Sequence, residues 1–243
     1  MNTSTLSPQK DPMGAAILDY HLHGRSEKLR VMSSMFDDDE IEVPYLFRTL
    51  DEMPPLEQKA LELAHGDVLD VGAGAGCHSM VLQQRYMNVT AIDISAQSVQ
   101  VMRDRGIENA HCINLFDFRL EGGYDTILML MNGTGVIGSL LNISNFFARM
   151  RTLLAHGGQV LLDSSDLRYL YEDENGNVDI DPGDRYYGQI DYRMAYADTE
   201  GDVFDWLYLD FRTLHMMAVA NGFNCEMVME GEHYDYLARL TLR

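Results

Sequence analysis

The sequence predicts an α/β fold built on a doubly wound, mostly parallel sheet, and three observations carry that expectation. The stretch "VLDVGAGAGCHS", residues 68 to 79, runs from an apolar strand through a glycine-dense turn into a helix, the way a nucleotide-binding βαβ unit opens. Short apolar runs then alternate with helical stretches, a pattern that folds as a parallel sheet with helices on both faces and right-handed crossovers. Last, "FNCEMVME" and "YDYLARLTLR" close the chain as two strands with a short link, which should pair antiparallel at the sheet edge.

Residues 1 to 12 are polar and expected to fray. "MGAAILDYHLHG" and "VPYLFRTLDEM" read as short helices, so residues 1–53 are expected to form a tail and helical cap ahead of a main domain over 54–243. Pro54 and Pro55 suit the first turn of a helix through Leu56, Ala60 and Leu63, which stops at Gly66 before the strand "DVLDVG". Further buried strands are expected at 89–93, 110–114, 125–130 and 159–163, separated by helices near 77–87, 95–105 and 139–155. In the last helix Leu140, Ile143, Phe147, Met150 and Leu154 recur at three and four, and Gly157-Gly158 end it. "DFRTLHMMAVANG" is one more helix.

Between the fifth strand and that final helix, residues 164–206 break the alternation and read as a β-hairpin insertion. Asn175-Gly176 is a hairpin turn signal, and "IDYRMAY" alternates opposite "VFDWLYL" across "DTEGD". "DENGNVDIDPGD" partly follows calcium-loop spacing. Val178 takes the place of the sharp-turn glycine and Asp184 that of the bidentate glutamate, so no metal is assigned.

At 243 residues, 46% apolar and 23% charged, the chain is expected to hold one sizeable core. Eighteen basic against 38 acidic residues give a formal charge of −20, which repels phosphate backbones and anionic membrane surfaces. Nucleic acid and membrane are therefore not expected partners. Cys77, Cys112 and Cys225 are odd in number, far apart and without a CxxC pair, which fits reduced thiols in the cytoplasm. The N-terminus has no apolar signal region, and no apolar run approaches membrane-spanning length.

The glycines of the turn narrow the ligand. A G-x-G-x-x-G count from Gly72 lands on Cys77 and from Gly74 on Ser79, neither of them the Gly or Ala that a dinucleotide turn needs for helix packing. Asp70, two residues before the turn, would repel a pyrophosphate and attract an ammonium or sulfonium. Asp93 ends the next strand, where a carboxylate accepts both hydrogen bonds of a ribose cis-diol, and it would serve any adenosine ligand, NAD included.

Taken in order, "VLDVGAGAG", "VTAIDIS", "YDTILMLMNGTG" and "LLAHGGQVLLD" resemble the successive motifs of class I S-adenosylmethionine-dependent methyltransferases over about residues 66–163. The C-terminal hairpin matches that family's reversed last strand. The resemblance implies a Rossmann-like, seven-stranded sheet, S-adenosylmethionine as cofactor and a small-molecule methyl acceptor. The sequence departs from the pattern at His156, which replaces a proline before the paired glycines, and at Asn114, where many members carry an acid.

By the same resemblance, the backbone at Gly72, Ala73, Gly74 and Gly76 lies along the methionine moiety, and Asp70 holds its ammonium or the loop itself. Asp93 and Ile94 border the ribose, Asn114 or the Leu115 backbone borders the adenine, and Met131 and Asn132 face the transferring methyl. Arg48, in "YLFR", reads either as a partner for the methionine carboxylate or as part of a solvated helix face. Asp70 has a second reading as a cap of turn amides, and Asn114 one as a strand-end turn residue. "NGTG" at 132–135 lacks the prolines and aromatic of enzymes that methylate DNA-base amines.

Methyl transfer needs alignment and water exclusion more than a fixed triad. Tyr20, His78, Asp166, Tyr169 and His233 are candidate bases near strand ends or caps, and spacing singles out none of them. The tyrosines and Trp206 of the insertion read either as hairpin packing or as a substrate lid. Two rivals stand beside the methyltransferase: an NAD-dependent oxidoreductase, which needs the spacing that Cys77 breaks, and a non-catalytic S-adenosylmethionine-binding protein on the same fold.

Overall fold

In the computed structural model the described residues are 4–117, 119–173 and 185–243. The N-terminal part holds α1 (Pro12–His23), β1 (Leu29–Met32), β2 (Asp39–Ile41) and α2 (Pro55–Leu63). The glycine turn lies between β3 (Asp67–Val71) and α3 (Cys77–Gln84), followed by β4 (Asn88–Asp93), α4 (Ala96–Asp104), β5 (Ala110–Cys112) and β6 (Tyr124–Met129). Then come α5 (Ile143–Leu153), β7 (Leu154–Ser165), β8 (Gln189–Tyr196), β9 (Thr199–Glu200) and β10 (Phe204–Leu207). The chain ends with α6 (Phe211–Ala220), β11 (Phe223–Glu230) and β12 (Asp235–Leu242).

Seven strands form the main sheet in the order β11-β12-β7-β6-β3-β4-β5. All neighbours from β7 to β5 are parallel, while β12 runs antiparallel to both β7 and β11, as the C-terminal pattern predicts. Strand order reverses between β3 and β6, so the crevice beyond their C-terminal ends is where this topology binds ligands. Alternate residues of the central strands bury opposite faces. Leu69, Ile127 and Val160 pack with Phe146, Phe147 and Met150 of α5 and Leu214 of α6, whereas Val68, Leu128 and Leu161 pack with Leu56, Ala60 and Leu61 of α2 and Leu82 of α3.

Three local readings change. The helix expected over 139–155 is a short 3-10 turn at Leu140–Asn142 followed by α5, and Leu154 is already extended (ψ 136°). Gly157 and Gly158 consequently lie within β7. The expected helical cap is mixed: α1 matches its pattern, with the Asp11 side chain accepting from the Gly14 N–H and Gly24 closing the helix at φ 66°, but "VPYLFRTLDEM" forms two 3-10 turns, Val43–Phe47 and Leu50–Glu52. Between them and α1 lie β1 and β2, which join the insertion in a second sheet of order β10-β8-β1-β2, with β9 on β8. Ile190 faces Trp206, as the "IDYRMAY"/"VFDWLYL" alternation predicts. The turn signal Asn175-Gly176 and most of the calcium-like run fall at 174–184, outside the described residues.

Candidate functional site

The glycine turn is fixed to β4 by its own backbone. The N–H groups of Gly72 and Ala73 both donate to the Ile92 carbonyl, at 2.9 and 3.1 Å. Gly74 has φ +55°, and a Cβ there would sit 3.8 Å from Ile17 Cδ1 of α1, so α1 roofs the turn. Gly76 has φ +79°, and a Cβ there would strike Ile107. The half-buried Asp93 accepts from the Gly74 N–H (2.9 Å, Oδ2) and the Ser95 N–H (2.8 Å, Oδ1), leaving each oxygen a second lone pair. Burial pushes its carboxyl up to about 6 against those two amides. Asp70 is buried and accepts from Ser79 Oγ at 2.6 Å, so it ties the end of β3 to the first turn of α3; burial raises its pKa.

The tail is not frayed where it is described. The Leu6 N–H donates to the Ile94 carbonyl (2.9 Å), Asn114 Nδ2 donates to the Ser4 carbonyl (3.2 Å), and Ser95 Oγ donates to Asp11 Oδ2 (2.5 Å). Residues 4–11 therefore run across the ends of β4 and β5, beside the positions expected to border an adenosine. The Asn114 carbonyl accepts from the Phe116 N–H at 3.0 Å, which makes it a strand-end turn residue here, and Leu115 is buried in the main core.

On the other side of the crevice, Met131 and Asn132 are consecutive non-glycine residues in the left-handed region, at φ 65° and 57°. Such backbone costs roughly 1–3 kcal/mol per residue and persists only where its surroundings over-determine it. Asp163, near the end of β7, does so: its carboxylate accepts from the Met131 N–H (3.1 Å) and the Gly133 N–H (2.9 Å). Ser165 Oγ donates to Asn132 Oδ1 at 2.9 Å. Burial pushes the Asp163 carboxyl up to about 6. Sequence reasoning missed this residue, although it stands in "QVLLD" as Asp93 does in "VTAID".

Arg48 is neither solvated nor free. Its guanidinium pairs with Glu57 of α2 through Nε (3.0 Å) and the second terminal nitrogen (2.6 and 2.7 Å), donates to the Tyr45 carbonyl (2.8 Å) and stacks 4.2 Å from the Tyr45 ring centre. His78 Nε2 lies 2.9 Å from the same Glu57 carboxylate, and all three side chains are buried. Burial opposes charge on His78, but Cys77, Glu57 and Asp70 outweigh it and lift the imidazole to about 10. Burial likewise opposes the Glu57 charge, and His78 and Arg48 hold it below the usual carboxylate range. Truncating one member of such a cluster strands a buried charge, at about 3–5 kcal/mol.

The other base candidates scatter. Tyr20 of α1 packs on Phe47, with ring centres 4.8 Å apart. Asp166 caps a 3-10 turn at Leu167–Tyr171 through the Arg168 N–H and accepts from the Tyr187 hydroxyl at 2.7 Å. Tyr169 stacks on Tyr234 (4.7 Å, 10°), both exposed, and the exposed His233 donates its N–H to Asp235. The Tyr192 and Tyr208 hydroxyls meet at 3.1 Å, and burial raises both their pKa values. Among the described residues no helix is long and apolar enough to cross a membrane, and no cluster of His, Cys, Asp and Glu is arranged to hold a metal.

The arrangement is a crevice at the switch point, with a glycine turn and an acid-held left-handed turn on its two sides. Comparison with known proteins gives the same picture from another direction. A methyltransferase-domain family model matches residues 43–227. No curated protein matches. An S-adenosylmethionine-dependent methyltransferase from Bacteroides fragilis, solved with S-adenosylhomocysteine, is 56% identical, covers 100% of this chain and 99% of its own, and superposes with a TM-score of 0.94. More distant structures share the fold. A sugar N-methyltransferase from a Streptoalloteichus species is 16% identical at TM-score 0.54, covering 77% of this chain and 85% of its own. An S-adenosylmethionine-bound amino pentose methyltransferase from Micromonospora echinaspora is also 16% identical at 0.54, covering 86% and 100%. With a fold, a crevice and a 56% identical relative in agreement over the whole chain, this protein belongs to the S-adenosylmethionine-dependent methyltransferases.

Proposed function

We propose that the acceptor is a small molecule and that it enters between the ends of β6 and β7 and the tyrosine-bearing strands of the insertion. The observation that carries this reading is the Met131–Asn132 turn, held strained by Asp163 and Ser165 and followed directly by Thr134 and Gly135, which meet Leu207 and Trp206 at the end of the insertion. S-adenosylmethionine, when bound, supplies a methyl group on a sulfonium, open to in-line displacement by the acceptor's lone pair. The chain's own residues supply alignment and water exclusion. The glycine turn lets the backbone approach the methionine moiety, and Asp93 offers its remaining lone pairs to the ribose hydroxyls. Asp70 and Asp93 set a negative field suited to a cationic ligand.

Met131 and Asn132 face the methyl group in this reading, and Tyr192, Tyr208 and Tyr169 wall the acceptor side. Glu57 is the shared counter-charge of Arg48 and His78 beneath the turn, and a role toward the methionine carboxylate falls to the one Nη1 hydrogen of Arg48 that Glu57 and Tyr45 leave free. Residues 1–53 and the insertion form the cover over a catalytic sheet in 54–243. The acidic charge and absence of CxxC pairs support a cytoplasmic enzyme with no nucleic-acid partner.

The test is thermal. S-adenosylhomocysteine at 100 times its Kd stabilises a folded protein by about 2.7 kcal/mol and raises its melting temperature. Asp93→Ala is expected to remove most of that rise, and NADH is expected to give none. Incubating the enzyme with labelled S-adenosylmethionine and pools of small metabolites, DNA or RNA then identifies the acceptor class; label in nucleic acid alone would refute the small-molecule reading.

A further inference from the structure

At the end of β7, Asp163, Ser164 and Ser165 are three consecutive residues that hold two different parts of the crevice. Asp163 and Ser165 hold the Met131–Asn132 turn. Ser164 belongs to a separate chain of hydrogen bonds whose direction can be assigned. Thr134 Oγ1 donates to the Leu207 carbonyl (2.8 Å), which uses its one proton. The 2.7 Å contact between Thr134 Oγ1 and Ser164 Oγ is then donated by Ser164, and Ser164 Oγ accepts from the Leu209 N–H at 2.8 Å. Thr134, Ser164, Leu207 and Leu209 are all buried, so every bond in this run is made out of water, and losing one leaves a buried polar group unpaired.

Leu207 and Leu209 flank Tyr208, whose hydroxyl meets that of Tyr192. One residue before Leu207, the indole of Trp206 lies directly on the backbone of Gly135, so closely that a Cβ at Gly135 would overlap it. The turn that faces the methyl donor and the segment Trp206–Leu209, which ends β10 and carries Tyr208, are thus joined by two hydroxyls and a stacked indole over the span Met131–Gly135.

We propose that Ser164 and Thr134 are positioning residues that register the acceptor side of the insertion against the cofactor turn, so that occupancy of the cofactor site is transmitted to β10. The proposal rests on the cofactor-site reading above. Asp163 sets the turn itself, and its loss acts on cofactor affinity. Ser164 and Thr134 act one step further out, and their loss leaves affinity while uncoupling the insertion.

Trp206 is the chain's single tryptophan, so its emission reports this junction alone. The experiment titrates S-adenosylhomocysteine into the full-length protein and follows binding by calorimetry and Trp206 emission side by side. The wild type is expected to give a saturable emission change with the calorimetric Kd. Ser164→Ala and Thr134→Val are expected to bind within about twofold of the wild-type Kd yet lose more than half of the emission change, while Thr134→Ser, which keeps the hydroxyl, retains it. Asp163→Asn is expected to weaken binding about tenfold by turning one amide acceptor into a donor. A full emission change in both Ser164→Ala and Thr134→Val, or none in the wild type at saturation, overturns the proposal. Absence of any calorimetric binding to the wild type would instead overturn the cofactor-site reading beneath it.

Discussion

Asp93 and Asp163 are one device used twice: a carboxylate near a strand end that gathers two loop amides and so gives shape to one side of the crevice. Both are pushed up to about 6 by burial, so in the fold the ionised form is the costly one. Because the folded pKa stands above the ordinary carboxyl value, each group contributes stability at acidic pH that is lost as pH rises through 6. The ionised form is nonetheless the better acceptor for two amides. S-adenosylhomocysteine affinity is therefore expected to fall between pH 7 and 5, while the contribution of these two groups to the melting temperature rises over the same window. Calorimetry across that range checks the first, and melting curves of Asp93→Asn and Asp163→Asn, expected to be flatter with pH than the wild type, check the second. Asp93 was legible because a strand-end acid after a glycine turn has a known use. Asp163 stood in the same kind of place, but nothing local shows that a carboxylate will reach back to amides thirty residues upstream. Glu57 was less visible still, since an acid on an amphipathic helix normally faces water, and only the fold brings Arg48 and His78 to it.

At the level of elements, the central sheet was readable because its strands are apolar on both faces and bounded by glycines and helices. β1 and β2 were not. "LRVM" and "DEI" are too short to show a period, and what makes β1 a strand is a ladder to β8, from Arg30 opposite Ala195 to Met32 opposite Arg193. The same ladder changes what removing the insertion would do. Replacing 168–204 with a short Gly/Ser linker takes away β8, one of the two partners of β1, and the Asp202 carboxylate that pairs with Lys10 at 2.9 Å. The seven-stranded sheet is expected to survive, since no strand of it lies in that segment. The segment from β1 to β2 is expected to become the first site of cleavage. Limited proteolysis with mass mapping would show it, and an unchanged digestion pattern would mean that α1 alone holds the cover in place.

Across the whole molecule, a formal charge of −20 opposes compaction, because like charges are drawn closer in the fold than in the open chain. Salt bridges on the surface offset little of this, each contributing about 0–1 kcal/mol. Raising sodium chloride from 20 to roughly 300 mM shortens the Debye length from about 20 Å to under 8 Å and is expected to raise the melting temperature by several degrees. A flat or falling profile in differential scanning calorimetry would show that the acids are locally compensated. The pairing of β1 with β8 also bears on how the protein is made. On the ribosome, residues 29–32 are translated long before Gln189–Tyr196, so strands β3 to β7 can assemble while β1 still lacks one of its two neighbours. A nascent chain halted before residue 189 carries both turns of the crevice and an unfilled strand edge in its cover. β1, translated ahead of every strand of the main sheet, is thus among the last elements to complete its native pairing, and in that interval it is the part most in need of protection from other exposed edges.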